Sequence, residues 1–152
     1  LQEQHNNLSF VLLEGDNVNI NSGVDIIKVK ENQYEAIGVA DAAIVCSGTA
    51  TLETAMLKCP MIVCYKLSYL TWVVAQALSK VKYLSLANLI AEDRVVDEYL
   101  QGKMTAKNLS NGINNLLKDE NRDIVMEKYN KLIDKLKSNE NPYSSAARYI
   151  YD

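Results

Sequence analysis

The sequence predicts an α/β domain, with a parallel β-sheet interleaved with helices and further helices at the carboxyl end. Three observations carry that prediction. Short β-rich apolar runs alternate with helical stretches from Phe10 to Tyr65, as βαβ units require. Two of these runs, Ala43–Cys46 and Met61–Tyr65, are almost continuously apolar, as central parallel strands covered on both faces are. After residue 90 the apolar positions fall into the 3.6 spacing of amphipathic helices. The 152 residues suffice for one domain, and 48% hydrophobic with 23% charged residues excludes a disordered, collagen-like or disulfide-stapled chain.

In chain order, the expected strands are Phe10–Leu13, Asp25–Val29, Ala43–Cys46 and Met61–Tyr65. Thr49 to Leu57 is a helix whose Leu52, Ala55 and Met56 can face the sheet, and Cys59-Pro60 stops it. An amphipathic stretch runs from Tyr69 to about Ser79, and Tyr83–Leu86 is expected as a last short strand. Thr105 can cap a helix carrying Leu109, Ile113, Leu116 and Leu117. Asp119 can cap another carrying Val125, Tyr129, Leu132, Ile133 and Leu136. Asn141-Pro142 breaks the chain, and Ser144 can start a final helix to Tyr151.

The net charge of −3 gives no electrostatic case for nucleic-acid binding, so no nucleic-acid partner is expected. The tail from residue 103 is mildly basic, but its charges alternate in sign as on a solvated helix face. Cys46, Cys59 and Cys64 lack C-x-x-C spacing and lie in apolar runs, so buried reduced thiols are expected, with neither a disulfide framework nor a metal site. His5, the single histidine, stands far from any Ser or Cys candidate and supports no triad. No run reaches the roughly 20 apolar residues of a membrane span, and residues 1–5 show neither a start Met nor a secretory signal. A cytoplasmic chain cut from something longer is expected.

The chemistry concentrates in Ser47, Gly48, Thr49, Thr51 and Glu53, between a buried strand and the start of a helix. Ligands of open parallel sheets sit beyond the carboxyl ends of the strands, where a helix start offers free backbone N–H groups to an anion. Gly48 has no Cβ to hold a phosphate away, and the Ser47, Thr49 and Thr51 hydroxyls can donate to it. The helix dipole contributes about 0.3–1 kcal/mol and each charged hydrogen bond about 1.5–3 kcal/mol. Glu53 would repel a bare phosphate but suits the diol of a ribose, so phosphate plus ribose describes a nucleotide. The same Ser/Thr-to-Glu spacing also serves as an ordinary capping arrangement.

Phosphate-loop, dinucleotide and nucleophile-elbow patterns are absent. Glu92, Asp93, Asp97 and Glu98 could supply a carboxylate pair, although a solvated face is the more ordinary reading. Tyr69–Val74, flanked by Lys66, Lys80 and Lys82, could rest on a bilayer surface or pack in the core.

Five ordered blocks resemble one family. They are Ala40–Ala43, Ser47–Glu53, Cys59–Val63 with Tyr65-Lys66, Tyr83–Ile90 and Val96–Gln101. Together they resemble the carboxyl-terminal half of lipid-A-disaccharide synthase. The resemblance implies a Rossmann-like parallel sheet of a glycosyltransferase-B-type donor domain, partial over residues 1–102. Residues 103–152 would be helices packing on that domain or on an absent amino-terminal one. The implied reaction transfers 2,3-diacylglucosamine from UDP to 2,3-diacylglucosamine 1-phosphate, in lipid A biosynthesis. It implies Ser47, Gly48 and Thr49 at the diphosphate, Glu53 at the ribose and Asn88 as a donor-side contact, with Thr51 a substrate-binding candidate through its hydroxyl. Ala87 stands where the family usually has Pro.

Glu98 and Gln101 align with a family E-L-L-Q segment that has a substrate-binding place, Tyr99 replacing an aliphatic residue. The implied partners are the UDP-2,3-diacylglucosamine donor, a lipid acceptor held mainly by an amino-terminal domain, the inner face of the bacterial inner membrane, and a second copy in a homodimer. No cofactor and no metal are implied, and no catalytic residue falls in these 152 positions, so the chain alone is expected to be inactive. Two alternatives stand beside this reading. One is another UDP-sugar enzyme of the same fold, an N-acetylglucosaminyltransferase or a UDP-sugar 2-epimerase; the other is a non-catalytic binding or interaction module.

Overall fold

The computed structural model describes residues 1, 5, 7–13, 25–46, 48–66 and 82–137. The expected amphipathic stretch at 69–79, the bilayer-facing reading of 69–74 and the last helix from Ser144 lie outside the described residues.

Strands β1 (Phe10–Leu13) and β2 (Ile26–Val29) pair in parallel, Phe10 opposite Ile26. Strands β3 (Ala43–Val45), β4 (Met61–Tyr65) and β5 (Asp97–Leu100) form a second parallel sheet in the order β3-β4-β5. The helices are α1 (Gln33–Gly38), α2 (Gly48–Met56), α3 (Leu86–Ala91), α4 (Ala106–Leu116) and α5 (Asp119–Leu136), with a 3-10 turn at Gln101–Lys103. This is the mixed α/β architecture with carboxyl-terminal helices that the sequence predicts.

The two faces of β4 take different partners, as the two-residue period of a strand dictates. Met61 and Val63 join Ala55 of α2, Ala87 of α3 and Tyr129 and Leu132 of α5 in one buried cluster. Ile62 faces the other way, against α4, where Gly112 brings the helix backbone down onto Ile62 and Tyr99. With both faces covered, β4 needs the uninterrupted apolar run that marks it in the sequence. Helix α2 ends with Lys58 in the left-handed region, φ 58°, and Cys59 N donating to the Thr54 carbonyl at 3.2 Å, ahead of Pro60.

Four expectations are corrected. Tyr83–Leu86 is not a strand: Ser85 caps α3, its hydroxyl accepting from Asn88 N, and the Leu84 and Ser85 amides donate to the Glu98 carboxylate rather than to a neighbouring strand. The fifth strand is Asp97–Leu100, in a region expected to be helical or a solvated acidic face, and it pairs Ile62 with Asp97 through Tyr65 with Leu100. Asp119 does not cap α5; Lys118 is the cap position without a side-chain bond, and Asp119 with Glu120 forms the first turn, where acidic groups favour the helix dipole. Cys46 is exposed rather than buried, because β3 ends at Val45 before it. Thr105 does cap α4, its hydroxyl accepting from Asn108 N at 3.2 Å.

Candidate functional site

The carboxyl edge of the three-stranded sheet gathers Cys46 after β3, Tyr65 at the end of β4 and Leu100 at the end of β5. Helix α2 starts at Gly48, immediately beyond that edge, with no acidic side chain in its first turn. Its first backbone N–H groups have no intrahelical acceptor and carry the positive end of the dipole. Ser47, the residue between Cys46 and α2, lies outside the described residues.

Gly48 does not take a left-handed conformation, and a Cβ built on it would lie 3.8 Å from Leu86 Cγ and 3.9 Å from the Tyr65 hydroxyl, ordinary contacts. Among the described residues, packing therefore leaves room for a side chain at this position. Thr49 and Glu53 are exposed and one turn apart, so they share the outer face of α2. Thr51 is on the inner face, fully buried; its hydroxyl donates to the Gly48 carbonyl at 2.6 Å and accepts from Ala87 N at 3.4 Å. It supports the helix start from behind and ties it to α3.

Asn88 and Glu98 form a hydrogen-bonded hub. The fully buried Asn88 amide donates to the Val96 carbonyl and to Glu98 Oε1, both at 2.9 Å, and its Oδ1 accepts from Val95 N and Val96 N at 2.8 and 2.9 Å. That accounts for all four bonds an asparagine side chain makes. Glu98 also accepts from Leu84 N, Ser85 N and the Ser85 hydroxyl, the last two at 2.9 and 2.8 Å. The pair thus pins the start of α3 to β5 and fixes Leu86, which borders Gly48. Gln101, at the end of β5, opens the 3-10 turn with φ 48° and is partly buried.

Tyr65 was not singled out as a contact by sequence reasoning, yet its hydroxyl borders the helix start. Its signal was position: it closes the β4 run at the same sheet edge as Gly48. Burial first, and then the Glu98 carboxylate, push its hydroxyl above the usual tyrosine value, so it stays protonated and able to donate at neutral pH. His5 Nε2 instead lies 2.9 Å from Asn114 Oδ1 on α4. Glu92, Asp93 and Asp97 do not converge with Glu98: Asp97 pairs with Arg94 at 2.9 Å, Asp93 bonds the Arg94 amide, and Glu92 ends α3 in the left-handed region. Among the described residues no group of three His, Cys, Asp or Glu side chains could hold a metal, and no helix is long and apolar enough to cross a membrane.

A sequence model of the family described as Lipid-A-disaccharide synthetase matches residues 5–150. The lipid-A-disaccharide synthase of Blochmanniella pennsylvanica is 39% identical over 103 residues, which is 66% of this chain and 27% of that protein. Those of Myxococcus xanthus and Psychromonas ingrahamii are 44% identical over 89 residues and 45% over 86, or 59% and 57% of this chain and 23% of each relative. The chain thus matches about a quarter of the length of the curated relatives it resembles.

Proposed function

Because the chain belongs to the lipid-A-disaccharide synthetase family, we propose that it is the donor-binding part of a glycosyltransferase that moves 2,3-diacylglucosamine from UDP to 2,3-diacylglucosamine 1-phosphate. One observation supports the donor site most: α2 opens on a glycine whose described neighbours leave room for a side chain, beyond the carboxyl edge of a parallel sheet. A ligand's need for close backbone approach explains that glycine. Ser47, Gly48 and Thr49 take the diphosphate, and Glu53, one turn along the exposed face, takes the ribose hydroxyls. Thr51, Asn88 and Glu98 serve the site from behind, holding the helix start and the Leu84–Asn88 segment in place, and Gln101 borders it at the end of β5.

In this reading residues 1–102 are the donor-binding unit, and the helices from residue 103 complete its packing. The acceptor site and the catalytic base belong to a further part of the enzyme, which works on the inner face of the inner membrane. What these residues contribute is stabilisation of the UDP leaving group; an inverting transfer also needs a positioned acceptor hydroxyl and a base.

Titration with UDP, followed by amide chemical shifts, tests the donor site. Shifts concentrated at residues 46–54 at about millimolar UDP, worth about −4 kcal/mol, are expected, and shifts elsewhere with that segment silent would refute it. Glu53→Gln tests the ribose contact: in the full-length enzyme it should weaken UDP-sugar binding by roughly 1–3 kcal/mol with little change in melting temperature. Normal donor affinity would show that Glu53 does not meet the ribose.

A further inference from the structure

The fold brings together two thiols that the sequence separates by 18 positions. Cys46 Sγ and Cys64 Sγ lie 3.1 Å apart. The β3–β4 register, Val45 opposite Val63, places the two residues directly across from each other at the strand ends. Cys46 is exposed, whereas Cys64 is buried. Neighbouring parallel strands stand about 4.8 Å apart, inside the roughly 4.4–6.8 Å Cα range a disulfide spans. We propose that Cys46 and Cys64 are a reversible disulfide-forming pair at the foot of the helix α2 start, a modification site that takes a small disulfide such as oxidised glutathione and lowers nucleotide affinity when closed. The effect on the nucleotide rests on the donor-site reading above; the thiol chemistry does not.

The exposed Cys46 meets the oxidant first. Its sulfur attacks one sulfur of oxidised glutathione, a mixed disulfide forms, and one glutathione leaves with the thiol proton. Cys64 then attacks the Cys46 sulfur, and the second glutathione leaves as a thiol. Two protein thiols are oxidised and one glutathione disulfide is reduced, so two electrons and two protons pass to the oxidant. Burial holds the Cys64 thiol above its ordinary range, so the second step is slow at neutral pH and quickens as pH rises. Cys59 is no competitor: it is buried where the chain enters β4, its thiol directed at the Ala40 and Pro60 carbonyls.

Closure must shorten the sulfur separation from 3.1 Å to about 2.05 Å. That ties the chain one residue before Ser47 to β4, and a hydrogen bond donated beyond the tie weakens steeply if its donor is re-aimed. Exposed disulfides are the readily reduced ones, and Cys46 is exposed, which suits a reversible switch.

The test uses oxidised glutathione on the chain and on Cys46→Ser and Cys64→Ser. Free thiols should fall from three to one, peptide mapping should find Cys46 joined to Cys64, and dithiothreitol should restore all three. Glutathione left on Cys46 with Cys64 free, or a bond to Cys59, would overturn the proposal. The oxidised chain should bind UDP at least threefold more weakly than the reduced one, while Cys46→Ser stays unmodified and Cys64→Ser stops at a glutathione on Cys46 with no protein disulfide. A mapped disulfide with unchanged UDP affinity would remove the regulatory half and leave the modification site. A reduced chain that binds no UDP would instead sink the donor-site reading, and the coupling with it, while the mapping result stands by itself.

Discussion

Among the described residues nothing asks for glycine at position 48, and that is measurable. Gly48→Ala should leave the fold as stable or up to about 1 kcal/mol more so, because alanine favours the helix and its Cβ meets only ordinary contacts. UDP affinity should fall roughly two- to tenfold, a change of about 0.4–1.4 kcal/mol; unchanged affinity by amide shifts would mean that no phosphate approaches this backbone. A second residue-scale outcome concerns Cys59, whose thiol burial pushes up from 9.0 to about 11. Between those values the folded state holds a proton that the unfolded state has released, so Cys59's contribution to stability is full below pH 9 and is lost as pH rises toward 11. Urea midpoints should therefore decline above pH 9, and decline less steeply in Cys59→Ala. Single residues were only half legible in the sequence. Thr49 and Glu53 lie on an exposed helix face as their spacing requires, but Thr51, Asn88 and Glu98 show polar side chains whose partners are backbone groups remote in sequence, which no local pattern displays.

The elements with a strong period were legible, and those held by side chains were not. Strands β3 and β4 and helices α2, α4 and α5 follow their apolar spacing to within a residue or two. Strand β5 reads as an acidic surface segment because all four residues are half-buried and one, Glu98, is held by amide donors rather than by hydrophobicity. The same donors were thereby removed from the expected strand at Tyr83–Leu86. Helix α4 offers a test of element packing. A Cβ on Gly112 would lie 2.8 Å from the Tyr99 hydroxyl and 3.2 Å from both Ile62 Cγ2 and Tyr99 Cε2. Gly112→Ala should cost about 0.5–2 kcal/mol, overpacking exceeding the gain in helix propensity. The denaturant midpoint should drop with its slope unchanged; a midpoint equal to or above that of the parent chain would show that α4 can lift off the sheet without cost.

For the whole molecule, this chain alone should show only background sugar transfer when both lipid substrates are supplied. Activity should appear when the remaining part of the enzyme is added on the same chain or in trans. Disaccharide formed by the purified chain, and abolished by a mutation within it, would place the catalytic base among these residues. The sheet's carboxyl edge, with a helix starting beyond it, was foreseeable from the order of strand, turn and helix; the hydrogen-bonded hub of Asn88 and Glu98 was not. The burial of Tyr129 and Leu132 beside Met61 and Val63 also bears on how the chain is made. On the ribosome, β4 emerges about 70 residues before the helix that seals its face, a wait of roughly 4–14 s at ordinary rates of synthesis. Throughout that interval only α2 and then α3 cover this face of β4, so part of its apolar surface stays open to non-native contacts until α5 has been translated.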